Sequence, residues 1–222
     1  MTIYCDSAKK FCFMKTKLWY LISMLRSADE GSSEIKFLDA GLELFKSGGL
    51  LAVSIERLSA KSGLPASEFE ECFKDKIDFF CKVYFYNMDR AKACFPEFLD
   101  ENGRMSTESL RRYLSHIAVE YPNILAYIED KDLLKETEER IYRMGGSEEK
   151  DAMKIIPYLE KPKEKPDIKL FCRSMRFASI IATNKSFNND EMSMNGVGYI
   201  AFKAARYICS DLGPIPNNHR RK

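Results

Sequence analysis

FLDAGLELF (Phe37–Phe45), a Ser47-Gly48-Gly49 turn, VSIERLSAKSGLP (Val53–Pro65) and FEECFKDKIDF (Phe69–Phe79) follow one another in a single stretch, and their reading decides the fold. In the first, Ile35, Leu38, Leu42 and Phe45 step by three, four and three, which predicts one buried helix face, with Ser33 as N-cap. The glycine pair ends that helix. Ser54 is placed to cap a second, short helix whose Ile55, Leu58 and Ala60 are expected to face inward. Gly63 closes it because glycine accepts positive φ, and Pro65 can start the next at its first turn. Asp75 then caps a longer helix from Lys76 to about Ala93. That helix carries Phe79, Phe80, Tyr84, Phe85 and Tyr86, and one apolar on most sides is normally sandwiched between neighbours.

A helix, a sharp glycine turn and a second short helix form the helix-turn-helix pattern, which offers its second helix to the major groove. The order of these pieces, near the start of a chain of about this length, resembles the TetR family of bacterial transcriptional regulators. The likeness is specific across residues 35–79 and architectural beyond them. In the family pattern a lysine precedes the reading helix, a threonine sits early in it, and tyrosine and histidine come near its end. Aligning on Gly63, Phe73 and Lys76 puts Ala66 at the lysine place, Glu68 at the threonine place, Glu70 and Glu71 at the aromatic places and Cys72 at the histidine. The resemblance therefore implies a DNA-contacting set of Ser54, Arg57, Pro65, Ala66, Ser67, Glu68, Glu70, Glu71, Lys74 and Lys76. From Ser54 to Lys76 there are five acids (Glu56, Glu68, Glu70, Glu71, Asp75) against four bases (Arg57, Lys61, Lys74, Lys76). Such a balance opposes the phosphate backbone, although glutamate can accept from the cytosine amino group. Two readings stand: a regulator with an atypical acidic reading helix, or a relative that has lost DNA binding and works through protein contacts.

Further along, inward stripes recur at helical spacing: Leu110, Tyr113, Leu114 and Ile117, then Ile124, Leu125, Tyr127 and Ile128 after Pro122. Residues 130–144 are charged, anchored by Leu133, Leu134, Ile141 and Met144, and broken by Gly145-Gly146; residues 148–160 read as helix interrupted by Pro157. KPKEKPD (Lys161–Asp167) reads as the clearest linker. Two long helices follow, at 168–184 and 190–212. The expected architecture is all-α, with about nine or ten helices: an N-terminal extension (1–32), a three-helix helix-turn-helix domain (33–80), a ligand-binding and dimerisation bundle (81–213) and a tail (214–222).

The resemblance also implies a small apolar or aromatic effector enclosed by the middle helices. Candidate liners are Phe85, Met88, Tyr113, His116, Ile117, Tyr127, Phe171 and Met175, although aromatics and methionines at this spacing are more often plain core. In the last helix Met194, Val197, Ala201, Ala204 and Ile208 repeat at helical spacing, and Gly196, Gly198, Ala201 and Ala205 keep it thin. With Phe171 and Met175 these form the homodimer interface that the resemblance implies, a four-helix bundle from the final helix pair of each copy; the alternative is that both apolar faces are covered within one chain.

Composition excludes more than it selects. A formal charge of +2 over 222 residues does not itself argue for nucleic acid. Seven cysteines without a CxxC spacing, and two histidines, make a structural zinc site a poor fit and suit a reducing cytoplasm. Lys15 and Lys17 interrupt the N-terminal apolar run, so neither an export signal nor a membrane span of ~20 apolar residues is expected, and Met24 is an alternative start. No GxSxG, HExxH, P-loop or GxGxxG pattern occurs, so neither catalysis nor a cofactor is expected. A redox sensor at Cys72 is a third class, resting on Lys74 and Lys76 lowering its thiol pKa.

Overall fold

The computed structural model describes residues 31–49, 52–183 and 190–212, with side chains in the last stretch described from Gly196 onward. The N-terminal extension before Gly31 and the tail after Leu212 lie outside the described residues. Nine α-helices and three single 3-10 turns make up the regular structure of the described chain, which holds no strand and only two isolated bridges. The chain is all-α.

It divides into two compact units. The first takes the chain through Pro96 together with Tyr127–Arg140; the second takes Glu97–Ala126 and the chain from Ile141 onward. The expected boundary after residue 80 thus falls inside an unbroken helix that belongs to the first unit.

In the first unit, α1 (Ser33–Gly48) is capped by Ser32, one residue earlier than expected, whose hydroxyl accepts from the Ile35 amide. Ser54 caps α2 (Ile55–Ser62), and Gly63 ends it at φ 73°, where a side chain would be strained. Pro65 occupies the N-cap position of α3 (Ala66–Cys72). Asp75 caps α4 (Lys76–Ala93) by accepting from the Asp78 amide at 2.7 Å. These signals act within four residues, which is why sequence fixes the boundaries so closely. Of the three positions expected to point inward from α2, only Leu58 does; Ile55 and Ala60 are exposed.

A phenylalanine cluster holds this unit together. Phe37 of α1 meets Phe69 of α3 edge-on at 5.5 Å and Phe73 at 6.1 Å, and Phe79 of α4 packs 5.3 Å from Phe69 and 5.0 Å from Phe73. All four rings are buried, so the short α3 is fastened to α1 and α4 by its own Phe69 and the adjoining Phe73. Seven residues would not hold a helix alone; the packing does.

The second unit contains α5 (Thr107–Glu120), α7 (Glu148–Ile155), α8 (Ile168–Thr183) and α9 (Asp190–Ile208); α6 (Lys131–Arg143) begins in the first unit. The segment expected to be a linker is tied down. Amides of Lys163 and Asp167 donate to the carbonyls of Ile208 and Tyr207 at 2.8 and 3.0 Å, and the Ser210 amide donates to Lys161. Residues 161–167 therefore satisfy the end of α9, whose last carbonyls have no partner within the helix. Asn123, Glu148 and Arg176 form a half-buried polar clamp: the guanidinium grips the carboxylate through Nε at 2.9 Å, and the Asn123 amide group donates to the same carboxylate.

Candidate nucleic-acid interface

Helix α3 exposes Ala66, Ser67, Glu70 and Glu71, and Lys74 just beyond it continues the same i, i+3, i+4, i+7 stripe from Ser67. Glu68 departs from that stripe. It is half-buried, and its carboxylate accepts from the Ser33 hydroxyl at the start of α1. The acid placed by alignment at a groove-reading position is thus an anchor of α3 onto α1.

The other end of α3 is held as well. Lys82 of α4 donates to the Cys72 carbonyl at 2.9 Å, pairs with Glu34 of α1 at 3.0 Å and lies 5.0 Å above the Phe73 ring. One cation therefore caps α3 and binds it to both longer helices. Nothing in the sequence marks Ser33 or Lys82 for these roles, because their partners stand on other elements.

A cleft of about 610 Å³ lies between the start of α2, the Phe69–Glu70 side of α3 and the start of α4. Val53, Leu58, Phe69 and Phe73 are among its lining, with Ser54, Glu70, Lys74 and Lys76. Glu70 thus shares one concavity with two lysines. Arg57, Lys74 and Lys76 are exposed, and no ion pair involves them among the described residues. Lys61 is turned away to Glu43 at 2.5 Å. Across the first unit, counted from Gly31, sixteen acids face twelve bases, so the unit that carries the helix-turn-helix is acidic although the chain is not.

Cys72 lacks the lowered thiol pKa that the redox reading needs. Burial, then Glu34, push its thiol above the ordinary value, and Lys82 opposes them only in part. Lys74 and Lys76 do not contribute, which removes the reason for a redox sensor there.

The eight candidate effector liners do not make one cluster within either unit. Phe85, Met88 and Tyr127 belong to the first, where Tyr127 stacks 6.3 Å from Phe45; the other five belong to the second. There Tyr113, Phe171 and Met175 are buried, and His116 sits between the rings of Phe98 at 5.6 Å and Tyr121 at 5.8 Å.

The expected dimer stripe is core. Val197, Ala201, Ala204 and Ile208 are buried at 1% exposure or less in the single chain, and Phe171 and Met175 are buried too; Met194 lies outside the described side chains. A residue already covered by its own chain has nothing left for a second copy to cover. Gly196 faces the neighbouring helix of the same chain: a Cβ there would stand 3.4 Å from Ile181 of α8. Apolar side chains exposed on the final helix pair are instead Leu170, Phe177 and Ile180 of α8 and Tyr199 of α9.

Among the described residues no helix is long and apolar enough to cross a membrane. The fold and site define an all-α chain with a capped helix-turn-helix in its first unit. No family model matches the chain, and no curated protein matches it. Among solved structures it is similar to a TetR family transcription regulator from Marinobacter aquaeolei VT8, at 17% identity and a TM-score of 0.45, over 82% of this chain and 98% of that one.

Proposed function

We propose that this chain is a transcriptional regulator, a repressor, that binds duplex DNA as a homodimer and responds to a small-molecule effector. The observation that carries this reading is the presentation of α3. A seven-residue helix is pinned by Ser33 at one end and Lys82 at the other, and its exposed Glu70 lines one cleft with Ser54, Lys74 and Lys76. Side chains that read base edges need such rigid placement, and flanking cations with backbone amides fix the register on phosphate. Glu70 and Glu71 are then the acidic readers, suited to cytosine amino groups. The second copy meets the exposed face of α8 and α9, and the effector class is small and apolar or aromatic.

Selection of bound sequences from a random duplex pool at low salt tests this. Enrichment of a palindrome supports a homodimeric reader, since operator symmetry mirrors protein symmetry. No enrichment supports a second reading, which the acidic balance of the first unit favours: the exposed glutamates of α3 take a basic protein partner.

A further inference from the structure

Asp75 stands between Lys74 and Lys76, at the corner where the chain leaves α3 and enters α4. An exposed carboxylate there would repel the phosphate that two lysines attract. It is not left bare. Arg140 of α6, sixty-five residues away in sequence, places Nη1 2.8 Å from both Asp75 carboxylate oxygens. Asp75 keeps its capping bond to the Asp78 amide at the same time, and Asp78 in turn accepts from the Lys74 amide at 3.1 Å. The corner is therefore a closed set of polar contacts with one charge neutralised from outside.

The partner helix is held in place for this. Thr137, one turn before Arg140, is fully buried; its hydroxyl donates to the Leu133 carbonyl at 2.7 Å, and its carbonyl lies 3.9 Å from the Cys81 thiol of α4. Glu136 competes for the guanidinium only from 3.8 Å and from an exposed position. Asp75 is accordingly the main partner.

The geometry points to Arg140 as a positioning residue of the DNA-facing corner: from α6 it masks the Asp75 carboxylate, so that Lys74 and Lys76 meet phosphate as an undiminished pair. The inference rests on the DNA-binding reading. Arg140 touches no base and need touch no phosphate; it acts through Asp75. The low carboxyl pKa of Asp75, caused first by the Arg140 hydrogen bond, agrees with this masking.

The test uses the full chain and an arbitrary-sequence duplex at low salt. Arg140→Gln weakens binding several-fold, Arg140→Lys restores most of it, and Asp75→Asn, which keeps the cap because asparagine caps as well as aspartate, binds at least as tightly as wild type. The double variant Asp75→Asn/Arg140→Gln returns close to wild type, because a neutral pair has been removed. A double variant as weak as Arg140→Gln alone overturns the inference, since the arginine then acts by something other than masking. Titration of the Asp75 carboxyl by NMR separates the two levels: its pKa rises in Arg140→Gln whether or not DNA is bound. Wild type that binds no duplex while that titration still moves overturns the DNA reading, and the masking role with it, but leaves the ion pair standing. An unmoved titration overturns the inference alone.

Discussion

The hydroxyl of Ser33, in the first turn of α1, donates to the carboxylate of Glu68 on α3, and this one contact divides the three glutamates of α3 into two kinds. Glu68 is a tie between helices. Glu70 and Glu71 are exposed to whatever α3 meets.

Their variants should separate accordingly. Glu68→Ala leaves the Ser33 hydroxyl without its partner and loosens α3, at about 1.5–3 kcal/mol for a hydrogen bond to a charged group, read as a lower thermal midpoint. Glu70→Gln/Glu71→Gln leaves that midpoint in place and tightens binding to arbitrary duplex at low salt, since each exposed like charge opposes phosphate by about 0.2–1 kcal/mol. Superimposable binding curves for wild type and the double variant would remove the case that α3 approaches DNA.

What sequence revealed and what it hid divide along sequence distance. Ser54 and Asp75 each accept from an amide three residues on, and the Gly63 amide donates to the carbonyl four residues back, so these helix ends are readable directly from sequence. The direction of Glu68 was not, because its partner is thirty-five residues away, nor was the role of Arg140. The α9 stripe shows a subtler limit. Small and apolar residues at helical spacing specify a face to be covered, and the same residues serve whether a neighbouring helix of the chain or a second copy covers it. Residues 161–167 failed for another reason: proline-flanked charge reads as linker from side chains, whereas its contribution to α9 comes from backbone amides.

Gly41 offers a sharp test of how α1 meets α4. A Cβ there would lie 2.6 Å from Cζ of Phe79, whose ring is fully buried in the phenylalanine cluster and has no room to withdraw. Gly41→Ala should destabilise by about 1–3 kcal/mol, the usual cost of overpacking, despite the better helix propensity of alanine. Urea unfolding measures it. A stabilised variant would mean that α1 and α4 are not as close as the structure places them.

Alkaline pH should weaken the fold through two groups. Burial first, then Glu148 and Glu149, push the Cys172 thiol from 9.0 up to about 12. Burial first, then the hydrogen bond to Asp39, push the Tyr86 hydroxyl from 10.0 up to about 12. In both cases the folded chain keeps a proton that the unfolded chain has released, so the native state binds more protons and stability falls as pH rises. The contribution is complete below the unfolded values and is lost progressively toward about 12. Urea midpoints should hold steady near neutrality and decline above about pH 9, less steeply in Cys172→Ala. An equal slope in that variant would take Cys172 out of the account.

The homodimer prediction changes most once burial is known. Ala201 and Ala204 are fully covered within one chain, so a charge at Ala201 should not give a folded monomer. Ala201→Asp buries an unpaired carboxylate, which costs several kcal/mol, and should unfold the second unit in circular dichroism. Phe177, 51% exposed on α8 near Leu170 and Ile180, is the position where a charge should break the dimer and spare the fold. Phe177→Glu should therefore sediment as a monomer with an unchanged helical spectrum. The same face carries exposed Lys169 and Arg173, with Lys203 and Arg206 on α9, and α8 has no acidic residue. A symmetric interface brings like charges toward one another, so moderate salt should strengthen the dimer by screening them, the opposite of its effect on DNA binding. Sedimentation equilibrium across a salt series reads both. A Phe177→Glu chain that sediments like wild type would exclude the α8 face, and a folded, monomeric Ala201→Asp chain would return the interface to the α9 stripe.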